Sequence, residues 1–132
     1  MASKKSKTTI LFIDDDEDFV YALSRMLEGE GYRVRHAADG DVGMRMAAEE
    51  RPDLIILDFM MPIKNGFDAL LELQQIDGLA DVPVLAITSF GQDIGEIHGL
   101  RRSDDKPKAL DYLEKPVEPN VFLDRVASAL AM

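Results

Sequence analysis

The stretch Ile10–Phe19 reads ILFIDDDEDF, so five acidic residues follow directly after four apolar ones. A short apolar run of this kind is typical of a buried strand. The carboxylates behind it repel one another at neutral pH, because water screens like charges only in part at short range. Either solvent dilutes this repulsion or a positive group lies among the carboxylates, and the remaining sequence favours the second explanation.

Similar runs recur along the chain and alternate with helix-like stretches. The predicted strands are Thr9–Ile13, Arg33–Ala37, Leu54–Leu57, Val84–Ile87 and Ala109–Leu113. Three of them are apolar on both faces, which is typical of parallel strands covered by helices on both sides.

Five helices are predicted from apolar residues at helical spacing. They fall within Phe19–Leu27, Val42–Met46, Phe67–Gln74, Gln92–Leu100 and Phe122–Leu130. The fourth is the weakest prediction, since it contains Gly95 and Gly99, and the sequence leaves the conformation of residues 92–109 open. The alternation of strands and helices predicts an α/β fold, a doubly wound (βα)5 domain with one five-stranded parallel sheet.

The composition fits a single globular domain. The chain has 132 residues, no cysteine and a net charge of −10. Residues 1–8 are predicted to be a disordered tail and residues 9–132 the folded domain. The absence of cysteine excludes disulfides and thiolate zinc sites, and the acidic charge argues against direct binding of nucleic acid or an anionic membrane. With no signal peptide and no apolar run near the roughly 20 residues that cross a bilayer, a cytoplasmic location is predicted.

Polar residues of matching chemistry follow four of the predicted strands. Asp14 and Asp15 follow the first strand, Asp58 the third, Thr88 the fourth and Lys115 the fifth. In a doubly wound sheet ligands bind at the carboxyl ends of the strands, so these side chains would face one pocket if those four strands are neighbours. Three carboxylates without a soft ligand suit Mg²⁺, which prefers oxygen.

The same residues fit the transfer of a phosphoryl group. Asp58, close to metal and lysine, is the candidate nucleophile for an aspartyl phosphate. Lys115 can neutralise one phosphoryl oxygen, and Thr88 can donate a hydrogen bond to another. Each residue alone has an ordinary explanation as a turn or cap residue, and Asp16–Asp18 fit the start of a helix. The prediction therefore rests on the joint occurrence of the residues, each at a strand end.

Four motifs carry a resemblance to a known family over roughly Thr9 to the C-terminus. They are FIDDDED at 12–18, LIILDFMMPIKNGFDAL at 54–70, LAITSF at 85–90 and ALDYLEKPV at 109–117. In this combination the chain resembles the receiver domain of two-component response regulators, the CheY-like family. The resemblance implies a flavodoxin-like strand order 2-1-3-4-5. It also implies a histidine kinase or a histidine phosphotransfer protein as the phosphoryl donor.

Individual residues acquire roles through the same resemblance. Asp58 would be the phosphoacceptor. In the Mg²⁺ site Asp15 would be a direct ligand and Asp14 would act chiefly through water, with Asp58 and the backbone carbonyl of Met60 as further ligands.

The resemblance further implies that Thr88 and Lys115 bind the phosphoryl group. Thr88 and Tyr112 would form a switch that alters the face of the fourth helix, fifth strand and last helix, where a downstream protein target could bind. Such a domain catalyses its own phosphorylation and slow dephosphorylation and is not a conventional enzyme.

Three alternatives compete with this interpretation. A hydrolase of the haloacid dehalogenase type needs a second aspartate two residues after the nucleophile, where this chain has Met60. A flavodoxin-like redox protein needs a phosphate loop rich in Ser, Thr and Gly after the first strand, where this chain has carboxylates. The serious alternative is a pseudo-receiver, a protein-interaction module that acts without phosphorylation. A pseudo-receiver typically lacks one of the five site residues, and none is missing here.

The residues two positions after Asp58 and Thr88 predict a long-lived phosphorylated form. In the resembled family these positions flank the path of the attacking water, and here they are the apolar Met60 and Phe90. Neither side chain can orient water, so we expect slow self-dephosphorylation, measured as loss of label after removal of the donor. Polar substitutions at both positions should shorten the lifetime. A lifetime of seconds in the parent would contradict this prediction.

Overall fold

The computed structural model describes residues 8–58, 72, 75–76, 78–79, 81–88 and 110–131. Its strands are β1 Thr9–Ile13, β2 Arg33–Ala37, β3 Leu54–Asp58, β4 Val84–Thr88 and β5 Leu110–Glu114. All neighbouring strands pair in parallel, in the order β2-β1-β3-β4-β5. The predicted fold class and strand order are therefore confirmed.

Three strands end one residue later than the apolar pattern predicts, at Asp58 in β3, Thr88 in β4 and Glu114 in β5. Asp58 ends β3 and pairs with Ile87, and Thr88 ends β4 and pairs with Glu114. The ladder is formed by backbone groups, so it continues past the point where the side chains become polar. Asp58 and Thr88 thus lie in hydrogen-bonded strands and not in the loops that follow them.

Alternate residues of the central strands pack on opposite faces of the sheet. Ile10 and Phe12 of β1 contact one apolar cluster, and Leu11 and Ile13 contact another. All five residues of β1, of β3 and of β4 are buried. This burial on both faces explains why the three strands read as continuous apolar runs in the sequence.

Three helices lie among the described residues: α1 Glu17–Gly29, α2 Gly40–Glu49 and α3 Pro119–Leu130. Residues of α1 and α3 pack on the cluster that contains Phe12, whereas residues of α2 pack on the opposite one. Gly31, with φ of +94°, follows the end of α1 in the left-handed conformation that glycine adopts most readily. Pro119 begins α3, where a missing backbone N–H costs nothing.

Several predicted features fall outside the described residues. They are the third helix apart from Glu72, the fourth helix, the segment 92–109 and residues 1–7 of the predicted tail. Of that tail Thr8 is described, and its carbonyl accepts a hydrogen bond from the Arg33 N–H at 2.8 Å. Among the described helices, none has the length and apolar character needed to cross a membrane.

A close contact between α2 and β1 generates a stability prediction. A Cβ atom at Gly43 would lie 2.5 Å from Cδ1 and 2.8 Å from Cγ1 of Ile13, whose side chain is fully buried. We expect Gly43→Ala to cost about 1–3 kcal/mol of unfolding free energy by overpacking. The higher helix propensity of alanine would offset about 1 kcal/mol of that cost. Urea denaturation measures the difference.

Gly29→Ala is the matched control, because a Cβ atom there would meet nothing within 4 Å. Shortening the neighbour with Ile13→Val should reduce the cost of Gly43→Ala. Equal stability of the two alanine variants would contradict the predicted clash.

Candidate functional site

Asp14 lies directly beyond β1 and is fixed through its backbone and its carboxylate. Its N–H donates to the Ala37 carbonyl at 3.0 Å, and Nε2 of His36 lies 2.7 Å from its carbonyl oxygen. Its Oδ1 accepts a hydrogen bond from the Asp16 N–H at 2.9 Å. These contacts hold the carboxylate in the interior, at the carboxyl end of the sheet.

Three carboxylates come together at this position. Carboxylate oxygens of Asp14, Asp15 and Asp58 lie within 4.8 Å of one another. Asp14 is 0% and Asp58 2% exposed, whereas Asp15 is open to solvent. Two oxygens on opposite sides of one Mg²⁺ would be about 4 Å apart, because each bond is about 2.1 Å long. Oxygens that all lie within 4.8 Å of one another are near enough for one cation to bind between them.

An incompletely satisfied oxygen supports this fit. Oδ2 of Asp14 is buried and has no hydrogen-bond partner among the residues that the structure describes. A buried carboxylate oxygen without a partner is costly. The nearby positive charge is the Lys115 ammonium, whose Nζ lies 3.7 Å from Oδ2. The cluster can therefore hold a metal ion, and its all-oxygen chemistry suits a hard divalent cation.

Lys115 reaches the site from the end of β5, and Thr88 ends the neighbouring strand β4. The Lys115 N–H donates to the Thr88 carbonyl at 2.7 Å, and the peptide bond from Lys115 to Pro116 is cis. The Thr88 side chain is 1% exposed, and within the described ranges its Oγ1 has no hydrogen-bond partner. A buried hydroxyl without a partner is a donor available to a ligand.

The electrostatics of the site are dominated by burial. Burial raises the pKa of Asp14 above its ordinary value of 3.8. The Asp16 N–H, the Lys115 ammonium and a side-chain hydrogen bond with Asp58 lower this pKa, but they do not outweigh the desolvation. Asp15 adds a smaller repulsion that raises the pKa further. Without a cation, the ionised form of Asp14 is therefore disfavoured in the folded protein.

The remaining predicted residues are Tyr112, Met60 and Asp16, of which the structure describes Tyr112 and Asp16. Tyr112 lies in β5, partly buried against the cluster that contains Ile13, and its N–H donates to Oδ1 of Asp111 at 2.8 Å. Met60 lies outside the described residues. Asp16 is the N-cap of α1 and accepts a hydrogen bond from the Phe19 N–H at 3.1 Å. The predicted helix start directly behind the acidic pair is thus present.

One contact of the site was not predicted from the sequence. Nζ of Lys115 lies 4.3 Å from the centroid of the Phe19 ring. The sequence identified Phe19 as part of the apolar stripe of α1, and nothing in that stripe distinguishes a core residue from one beside a lysine. The position of Phe19, in the first turn of a helix that starts immediately after two clustered carboxylates, could have indicated that its ring lies near the site.

Comparison with known proteins gives a consistent result. A family model of the response regulator receiver domain matches residues 10–127. Protein PilH of Pseudomonas aeruginosa is 34% identical over 122 residues, and the match covers 92% of this chain and 97% of PilH. A solved structure described as a response regulator from Chloroflexus aurantiacus superposes with a TM-score of 0.83 at 32% identity. The superposition covers 95% of this chain and 98% of the chain from Chloroflexus aurantiacus.

Longer proteins match over the same part of the chain. RpaA of Synechocystis, a DNA-binding dual master transcriptional regulator, is 40% identical over 121 residues. The match covers 92% of this chain and 48% of RpaA, so the chain spans about half the length of that relative.

The raised pKa of Asp14 predicts a dependence of stability on pH. The unfolded chain loses the Asp14 proton at a lower pH than the folded protein does. The free energy of unfolding therefore falls as the pH rises from 3.8 through the higher pKa of the folded state. In metal-free buffer at neutral pH, Asp14→Asn should therefore unfold at a higher temperature than the parent. Asparagine keeps an oxygen that can accept from the Asp16 N–H. The gain should shrink as the pH falls toward 3.8.

Asp15→Asn is the matched control, because it removes an exposed carboxylate from the same cluster. We expect Mg²⁺ to stabilise the parent more than Asp14→Asn, since the ion binds the folded state. A parent that gains stability as the pH rises over this range, with no benefit from Asp14→Asn, would contradict the prediction.

Proposed function

Because the chain belongs to the response regulator receiver domain family of two-component systems, we propose that it accepts a phosphoryl group on Asp58 from a phosphohistidine of a partner. The partner would be a histidine kinase or a histidine phosphotransfer protein. The observation that carries the proposal is the grouping of the buried Asp58 with Asp14 and Asp15 near the Lys115 ammonium, with the buried Thr88 at the end of the strand next to β3. A structural cluster would have no need for this set of groups.

The proposed reaction is a direct transfer between two side chains. One carboxylate oxygen of Asp58 forms a bond to phosphorus while the bond from phosphorus to the partner's imidazole nitrogen breaks. The imidazole takes up one proton from solvent, and Asp58 becomes an acyl phosphate. Mg²⁺ bound by Asp14, Asp15, Asp58 and the Met60 carbonyl would neutralise charge on the phosphoryl oxygens.

Two further residues would act on the phosphoryl group itself. The Lys115 ammonium is 3.7 Å from Asp14 and so lies at the margin of the cluster, where it can pair with a phosphoryl oxygen. The Thr88 hydroxyl can donate its hydrogen to another phosphoryl oxygen. That donation would give a partner to the atom that has none within the described residues. Both groups favour the phosphorylated form over the unmodified one.

A change at Thr88 can pass to the adjacent strand. Ala86, two residues before Thr88 in β4, pairs with Tyr112 in β5. We propose that movement of Thr88 toward the phosphoryl group lets the Tyr112 ring turn inward. This turn would alter the surface of β5, α3 and the predicted fourth helix, where a downstream protein would bind.

The domain limits 9–132 and the cytoplasmic location stay predictions.

The pseudo-receiver is the alternative that the fold does not distinguish from this function. Such a domain would bind its partners through the same surface without phosphorylation. Oγ1 of Thr88 and Oδ2 of Asp14 are buried without a hydrogen-bond partner among the described residues, which favours the phosphoacceptor, because burial of such atoms costs free energy unless a ligand satisfies them. Chemical labelling separates the two possibilities.

Incubation with acetyl phosphate and Mg²⁺ tests the proposed function. We expect intact-protein mass spectrometry to show the gain of one phosphoryl group in the parent and none in Asp58→Asn, because the amide is not nucleophilic. Asp53→Asn is the matched control, since the Asp53 carboxylate accepts from the Thr9 N–H at the opposite end of the sheet. An unlabelled parent would support the pseudo-receiver, and labelled Asp58→Asn would refute the assignment of the acceptor.

A further inference from the structure

We propose that Phe19 is a positioning residue for Lys115, which its ring holds beside the carboxylate cluster in readiness for a phosphoryl oxygen. The inference rests on the proposed function, because it assigns Phe19 a part in the same reaction. Phe19 does not touch the reacting atoms in this scheme and acts through the lysine.

The contact has the geometry of a cation–π interaction. Nζ of Lys115 is 4.3 Å from the centroid of the Phe19 ring, well inside the roughly 6 Å limit for this interaction. The lysine side chain is 24% exposed, so the ammonium is partly desolvated and the ring competes with less water than at an open surface. Among the described carboxylates, Oδ2 of Asp14 lies 3.7 Å from Nζ, which is too far for a hydrogen bond.

Lys115 is restrained at both ends. Its backbone N–H donates to the Thr88 carbonyl at 2.7 Å, and its ammonium lies on the Phe19 ring. A free lysine side chain loses up to about 2 kcal/mol of rotamer entropy when it is fixed. Since the Phe19 ring fixes part of the lysine side chain before a phosphoryl group arrives, less of that entropy remains to be lost during the reaction.

The ring is itself well supported. The Phe19 N–H donates to Oδ1 of Asp16, the N-cap of α1. The Phe19 ring also meets the ring of Phe12 edge to face, with centroids 6.1 Å apart and planes at 89°. Phe12 is fully buried in β1. A line of contacts thus runs from the core of the sheet through Phe19 to the lysine.

An aromatic ring has an advantage over a second carboxylate at this position. A cation bound among Asp14, Asp15 and Asp58 would weaken the attraction of Asp14 for Lys115 and repel the ammonium. The attraction of the neutral Phe19 ring does not depend on the charge of those carboxylates. The ring can therefore keep Lys115 near the site when the metal is bound, which is the state in which the lysine is needed.

The experiment compares Phe19→Leu, which keeps an apolar side chain without a π face, with Phe19→Tyr, which keeps the face. NMR should show ring-current-shifted Lys115 Hε resonances in the parent and in Phe19→Tyr, but not in Phe19→Leu. The rate of phosphorylation by acetyl phosphate should fall about 3-fold in Phe19→Leu, a loss typical of one cation–π contact. Phe19→Tyr should restore the rate.

Tyr21→Leu is the matched control on the same helix. Tyr21 is 63% exposed and its ring pairs with Arg25, 5.7 Å from the centroid, so its loss should not change the rate. Mg²⁺ affinity should stay within about 2-fold of the parent in Phe19→Leu, because Phe19 acts on the lysine and not on the carboxylates. A large fall in affinity would show a merely structural effect and overturn the inference.

The remaining outcomes separate this inference from the proposed function. A parent without ring-shifted Lys115 resonances, or a Phe19→Leu variant labelled as fast as the parent, would overturn the positioning role alone. An equal loss of rate in Phe19→Leu and Phe19→Tyr would also overturn it. A parent that takes no phosphoryl group would refute the proposed function and the positioning role together, even with the shifted resonances present.

Discussion

The close approach of the Asp14 and Asp58 carboxylates is the constraint on which the rest of the site depends. β1 and β3 are hydrogen-bonded neighbours, with Ile13 opposite Leu57. Asp14 follows Ile13 and Asp58 follows Leu57, so both aspartates lie at the same edge of the sheet. Both strands are buried on both faces, and the apolar packing there stabilises an arrangement that charge repulsion opposes. The repulsion therefore follows from the strand order, and it can be relieved by positive charge, by hydrogen bonds or by protonation.

The positive charge comes from a distant part of the chain. Lys115 follows β5, at the opposite end of the strand order from β2, and reaches the cluster because its backbone is bonded to Thr88. Among the described residues one lysine faces three carboxylates, and burial of Asp14 raises its pKa further than the lysine can lower it. A divalent cation would correct this deficit, and its binding would place two more positive charges near the lysine. The Phe19 ring provides the attraction for Lys115 that survives this change.

Much of the architecture could be predicted from the sequence, because burial on both faces of a strand leaves an unmistakable apolar run. β1 and β2 have the bounds that the pattern predicts, and the first helix begins within the acidic stretch as expected. The ends of β3 and β4 could not be placed, because Asp58 and Thr88 pair through backbone groups while their side chains carry no apolar signal. The contact between Phe19 and Lys115 was not predictable either, since it joins two elements far apart in the chain.

The acidic stretch 14–18 separates what can be predicted from the sequence from what the tertiary structure determines. The sequence by itself determined that a strand ends there, that a helix follows, and that carboxylates gather at a strand end. It could not show that Asp14 is buried and Asp15 exposed, because the two are identical neighbours. Their environments are made by residues distant in sequence: Ala37 and His36 on β2, Asp58 on β3 and Lys115 beyond β5. The desolvation and charge that set the chemistry of Asp14 therefore arise only when the strands assemble.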